Sequence, residues 1–185
     1  MVETLVAVAV LMLAITAPLT MAEKSLATAE AARQDITAFY LAQEAFEFVK
    51  NVRDTNVISE VLGGWLAGLE ECRLSNGCGI DPTNSSGAGT VLPCASYEGC
   101  TLYFNDGTWA ASASFKGVYG HQIAGTASGW NKTYYQRVVK IQNIPHVAPD
   151  TDVEVKISVT VTRVGKNFGR TQFTASENML RWYQP

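Results

Sequence analysis

Residues 1–25 read MVETLVAVAVLMLAITAPLTMAEKS, and residues 4–22 of that stretch form an apolar run of 19 positions without a charge. One carboxylate, Glu3, stands directly ahead of the run. At about 1.5 Å of rise per residue the run makes a helix of nearly 30 Å, the thickness of a bilayer's hydrocarbon. A secretory signal peptide wants a basic segment before its apolar stretch and a small-residue cleavage site after it. Nothing basic precedes this run, and although APLTMA (residues 17–22) suits a peptidase, the residues after it continue the helix. The segment therefore reads as a membrane-length helix and not as an ordinary signal peptide.

The helical pattern continues through EKSLATAEAARQDITAFYLAQEAFEFVKNVRDTN, residues 23–56. Here Ile36, Phe39, Phe46 and Val49 fall near one face, while Glu23, Lys24, Arg33, Asp35, Glu44, Lys50 and Asp54 supply a solvated remainder. No glycine occurs before Asn56, and the only proline there is Pro18. A proline inside a helix removes one backbone hydrogen bond and commonly kinks it, so Pro18 marks an expected bend. The expectation is one helix of about 50 residues, apolar in its first half and amphipathic in its second.

Beyond residue 56 the composition changes. VISEVLGGWLAGLEEC reads as a short segment broken by Gly63 and Gly64, and NGCGIDPTNSSGAGTVLPC as a polar, turn-rich surface loop. TLYFNDGTWAAS places strand-like residues on either side of Asp106-Gly107, a favoured hairpin dipeptide. YYQRVVKIQNI alternates as a half-buried strand does, and DVEVKISVTVTRV does so more clearly, with Val153, Val155, Ile157, Val159 and Val161 on one face. RTQFTASENMLRWYQP adds a strand and a terminal turn. The fold class is α+β: a long N-terminal helix packed through its amphipathic half on a small antiparallel sheet. The chain accordingly divides into three regions, residues 1–23, 24–56 and a sheet head over 57–185.

Composition narrows the function. A net charge of -3, a pI near 5.4 and 17% charged residues give no basic footprint for a phosphate backbone, so no nucleic-acid partner is indicated. The four cysteines form two pairs with five residues inside each, CRLSNGC (Cys72, Cys78) and CASYEGC (Cys94, Cys100). Disulfides persist in oxidising compartments, which places the head outside the cytoplasm. Four thiolates also make a tetrahedral zinc set, but zinc knuckles use shorter spacings. Four cysteines allow three pairings. Local pairing, Cys72 with Cys78 and Cys94 with Cys100, is expected because each loop holds glycine and polar residues able to turn.

Other residues carry plainer readings. His121 and His146 are isolated from ligand partners and read as surface or loop residues. PDTD, residues 149–152, is too short for a calcium loop. Asn84 and Asn131 begin glycosylation sequons. Trp65, Trp109, Trp130 and Trp182 read as core or sheet-cover residues. No serine, cysteine or carboxylate pair stands beside a partner base, so neither an enzyme nor a cofactor or metal site is expected.

The assembled pattern resembles the type IV pilin and pseudopilin family. MVETLVAVAVLMLAI is similar to the pilin N-terminus, in which a glutamate stands a few residues into a run of aliphatics. AFYLAQEAFEFVKNVRDTN is similar to the helix end of many pilin-like proteins, and QRVVKIQNI, VEVKISVTVTRV and RTQFTASENMLRW to their paired C-terminal strands. Pilin precursors carry a short basic leader ending in glycine ahead of this segment. The chain shows none before Met1, so the expected mature N-terminus lies upstream of Met1 or Met1 is an internal methionine.

The resemblance implies a structural subunit of a helical surface filament, held in the inner membrane before assembly by pilus assembly machinery and then polymerised with copies of itself. It implies that residues 1–23 form the filament core, that Glu3 pairs with the N-terminal amine of a neighbouring subunit, and that Pro18 helps the helices pack with a stagger. Residues such as those of DPTNSSGAGT would then face outward. Two alternatives remain: a pseudopilin of a secretion or DNA-uptake machine, and a single-span anchored extracytoplasmic binding module.

Overall fold

One α-helix, α1, occupies Val2–Ile58 without interruption, with Glu3 in its first turn and Pro18 inside it. The computed structural model describes residues 2–62, 64–83, 90–95, 100–108, 116–121, 129–144, 153–165 and 169–181. The chain divides into two compact units, Met1–Thr37 and Ala38–Pro185.

The described part of the first unit is helix alone. Its threonines turn their hydroxyls back onto the helix: Thr16 donates to the Met12 carbonyl at 3.0 Å, Thr28 to Lys24 at 2.9 Å and Thr37 to Arg33 at 3.0 Å. A threonine that satisfies its hydroxyl in this way is compatible with an apolar environment.

In the second unit the helix meets a sheet that, among the described residues, has seven strands, all paired antiparallel: β1 (Cys78–Asp81), β2 (Thr90–Pro93), β3 (Thr101–Asn105), β4 (Tyr119–Gly120), β5 (Trp130–Asn143), β6 (Glu154–Gly165) and β7 (Gly169–Leu180). The 14-residue β5 organises it. One edge of β5 pairs with β3 near its start and with β1 at Val139; the other pairs with β6, which pairs in turn with β7. A short 3-10 helix over Glu70–Arg73 precedes β1.

The core joins helix and sheet. On β6, Val155, Ile157, Val159 and Val161 are buried, the face that alternation marks out, with Val153 half-buried just before the strand. From β5 come Val139 and Ile141, and from α1 come Ala38, Leu41, Ala42, Ala45, Phe46 and Val49. That helical stripe corrects the expected one. Phe46 and Val49 are buried, but Ile36 is 57% exposed and Phe39 52%. The face that closes on the sheet mixes small and large side chains, Ala38, Ala42 and Ala45 with Leu41, Phe46 and Val49, while Ile36 and Phe39 fall on its flank.

Two more expectations are corrected. The stretch read as a surface loop contains two strands, and all four residues of β1 are buried. Residues 84–89 of it lie outside the described residues. Asp106-Gly107 does not make a two-residue hairpin turn: β3 pairs with β4 across a longer connection. Instead Asn105 and Asp106 accept from the amides of Gly107 (2.7 Å) and Thr108 (2.8 Å), so two successive side-chain turns lead the chain away from the strand.

Candidate functional site

The functional candidate of the first unit is its surface. Every described side chain from Val2 to Arg33 is exposed. Leu5, Leu13 and Met21 are each more than 70% exposed, and no part of the most apolar window, of mean hydropathy 2.3, is buried. A helix that is apolar on all sides needs lipid or other helices around it. This one is long and apolar enough to cross a membrane. Its one charge ahead of residue 23 is Glu3, in the first turn, where the helix dipole favours a carboxylate. Pro18 supplies no amide to the carbonyl of Ala14, one turn before it.

The second unit holds a buried polar cluster. Arg137 stands in the core-facing register of β5 beside Val139 and Ile141 and is fully buried. Its guanidinium donates to the Leu41 carbonyl at 3.0 Å and the Ile80 carbonyl at 2.7 Å, and forms an ion pair with the half-exposed Glu44. One side chain thus joins α1, β1 and β5. Beside it, the Asp81 carboxylate accepts from the Thr83 hydroxyl (2.6 Å) and amide (3.0 Å) and from the His121 amide (3.1 Å).

His121 follows β4 outside any strand, as the loop half of its reading has it, but it is 5% exposed and so not a surface residue. Its Nδ1 lies 3.0 Å from the Thr101 carbonyl, which can only accept, so Nδ1 carries the proton. Its Nε2 has no hydrogen-bond partner among the described residues. Burial, reinforced by the Arg137 guanidinium and opposed by Asp81 and the Thr101 carbonyl, holds the imidazole neutral with a pKa lowered to about 4.

The cysteines form two disulfides, Cys72–Cys78 and Cys94–Cys100. The first ties the 3-10 helix to β1. The second closes the short segment between β2 and β3, where Cys100 takes a left-handed backbone with φ 64°. Gly79 lies under it: a Cβ there would sit 2.8 Å from both Cys100 Sγ and His121 Nε2, so only glycine fits.

Of the other singled-out residues, Trp65 is buried at 5%, Trp130 opens β5 half-buried, and exposed Asn131 donates to Asp106 at 2.7 Å. Asp81, placed among the outward residues on sequence, is buried instead. His146, Asn84, Trp109, Trp182 and residues 149–152 lie outside the described residues. The sequence reading did not single out Arg137, and it gave Asp81 and His121 no part in a buried cluster. The signal for Arg137 was its parity: alternation on β5 puts it with Val139 and Ile141 and not with the solvated residues.

Comparison of the chain with family models, with curated proteins and with solved structures finds no match. What fold and site define is a class: an α+β protein with a long, apolar N-terminal helix and an antiparallel sheet. That architecture is compatible with a pilin-like one, and the helix with membrane anchoring.

Proposed function

We propose that the chain is a structural subunit of a helical surface filament of the type IV pilus kind, anchored in the membrane by its N-terminal helix before assembly. The observation that carries this reading is α1 itself: one helix that begins with a lone carboxylate, runs through an all-round apolar segment and ends in a face packed on a sheet. In the bilayer the apolar segment is covered by lipid. In the filament it exchanges lipid for the helices of other copies, so one surface serves as anchor and then as polymer core.

Glu3 makes the exchange selective. An unpaired charge in a low-dielectric interior costs several kcal/mol, so a docking subunit that neutralises it, through the N-terminal amine of the neighbouring copy, is favoured over one that does not. Copies related by a rotation that does not close then build an open helix.

The test is Glu3→Ala in cells, read by electron microscopy of surface filaments and by the amount of subunit in the membrane fraction. Filaments are expected to vanish or fall sharply while the membrane pool persists. Unchanged filaments in the variant, or none in the wild type, would overturn the reading and favour a single-span anchored module.

A further inference from the structure

The two disulfides of the head sit in unlike surroundings. Cys72 and Cys78 belong to the apolar core, in one cluster with Leu69, Ile80 and Val139. Cys94 and Cys100 are buried too, but outside that cluster and beside the polar one. A Cβ built on Gly79 would lie 2.8 Å from Cys100 Sγ and 2.8 Å from His121 Nε2, so the two atoms flank one point and are at most twice that distance apart. Nε2 is the nitrogen without the proton, because Nδ1 donates its own to the Thr101 carbonyl. Its lone pair is a buried acceptor with no hydrogen-bond partner among the described residues. A disulfide sulfur has no hydrogen to offer it, and a thiol does.

The backbone adds a second bias. Of the four cysteines, only Cys100 takes a left-handed conformation, φ 64°, which is unfavourable for a residue with a Cβ and persists where the surrounding structure imposes it. Two ties impose it here: the disulfide to Cys94, six residues back, and the Arg137 amide, which donates to the Cys100 carbonyl at 3.1 Å. The second tie does not involve the sulfur. Opening the disulfide therefore frees the Cys100 side chain to turn towards Nε2 while β5 keeps the carbonyl in place.

We infer that Cys94–Cys100 is a thiol-exchange site: a dithiol reductant opens it while Cys72–Cys78 stays closed, and His121 holds the freed Cys100 thiol. In the exchange the protein S–S bond takes up two electrons and breaks, the reductant's two sulfurs join each other, and its two hydrogens pass to Cys94 and Cys100. The Cys100 S–H then donates to His121 Nε2, a hydrogen bond that the oxidised head lacks. A neighbour satisfied only in the dithiol form shifts the equilibrium towards that form. The site stands apart from filament assembly, because none of its residues lies on α1.

The test equilibrates the full chain, in detergent, with mixtures of reduced and oxidised dithiothreitol, alkylates the free thiols and reads each cysteine by peptide mass spectrometry. Cys94 and Cys100 are expected to open at a reduced-to-oxidised ratio about tenfold or more below that for Cys72 and Cys78. His121→Phe, which removes the acceptor, should raise the ratio needed at Cys94–Cys100 about tenfold and leave Cys72–Cys78 where it was. Should that variant disturb folding, imidazole nitrogen NMR of the wild type decides the matter: the His121 Nε2 resonance is expected to move upfield on reduction, as an unprotonated nitrogen does when it accepts a hydrogen bond. Glu3→Ala should titrate as the wild type does, so the two proposals fail separately. Opening of Cys72–Cys78 first or at the same ratio, an equilibrium indifferent to His121→Phe, or an Nε2 resonance unmoved by reduction would overturn the inference.

Discussion

Residues 4–22 and residues 38–49 belong to one helix and are both rich in apolar side chains, yet they end in opposite environments. In the first stretch Leu5, Leu11 and Leu13 are each more than 60% exposed; in the second Ala45 and Val49 are fully buried, while Phe39 and Tyr40 are more than half exposed. Apolar content therefore does not set burial within this chain. What sets it is a partner surface: the second stretch belongs to a unit with a sheet whose valines and isoleucines offer an apolar face, and the described part of the first unit is helix only. A stretch apolar on all sides must find its cover outside its own fold, whereas a one-sided apolar stripe fits a cover already present.

The severest challenge to that contrast is Arg137→Ala. It strips donors from the buried Leu41 and Ile80 carbonyls, leaves Glu44 without its cation and opens a cavity between helix and sheet. A loss of about 3–5 kcal/mol is expected, read from the fluorescence of buried Trp65 during urea unfolding of the full chain. Leu11→Ala, a larger apolar deletion in the exposed stretch, should leave that transition within about 0.5 kcal/mol. Equal effects from the two variants would erase the distinction between the stretches.

Acid probes the same buried cluster from the other side. His121 is neutral in the folded head because burial and Arg137 disfavour its cation, with Asp81 and the Thr101 carbonyl opposing them and Arg137 paired to Glu44 of the helix. The unfolded chain takes up the proton near pH 6.5 and the folded head only near 4. Between those values the unfolded state binds more protons, so stability falls as pH drops from about 6.5 towards 4 and levels off below, by about 3 kcal/mol in total. His121→Gln should flatten this part of the pH profile of urea midpoints; an unchanged slope in the variant would show that other groups carry it.

Much of this molecule was legible in its sequence, and the illegible parts share one cause. The helix was signalled by the absence of glycine before Asn56 and by the uncharged run, and β6 by its strict alternation, because both signals are local. Glu3 and Pro18 stood out for the same reason, each being an exception within a uniform stretch. β1 did not, since Gly79 and Cys78 read as turn residues when the glycine is there for the close approach of Cys100 and His121. The Asp81–His121 contact joins residues 40 apart, and only the pairing of β3 with β4 and of β5 with β1 and β3 brings them together. The buried stripe of α1 was half legible: Phe46 and Val49 are buried as read, but the pattern of large residues also drew in the exposed Ile36 and Phe39 and passed over Ala38, Ala42 and Ala45, whose small side chains fill the same face.

That last point yields the finest test of the contrast. Ala45→Leu adds apolar volume at a site with no exposure, where the helix backbone lies against the sheet, and overpacking of this kind costs about 1–3 kcal/mol. Phe39→Ala removes far more apolar surface, but from a ring that is half in solvent and touches Phe173 edge-on, with ring centroids 6.1 Å apart. Its cost should stay below about 1 kcal/mol, no more than a partly exposed aromatic pair provides. Measured together by urea unfolding, the variant that adds carbon should be the less stable one. The opposite order would mean that Phe39, on the flank, holds the helix to the sheet more than the close approach at Ala45 does.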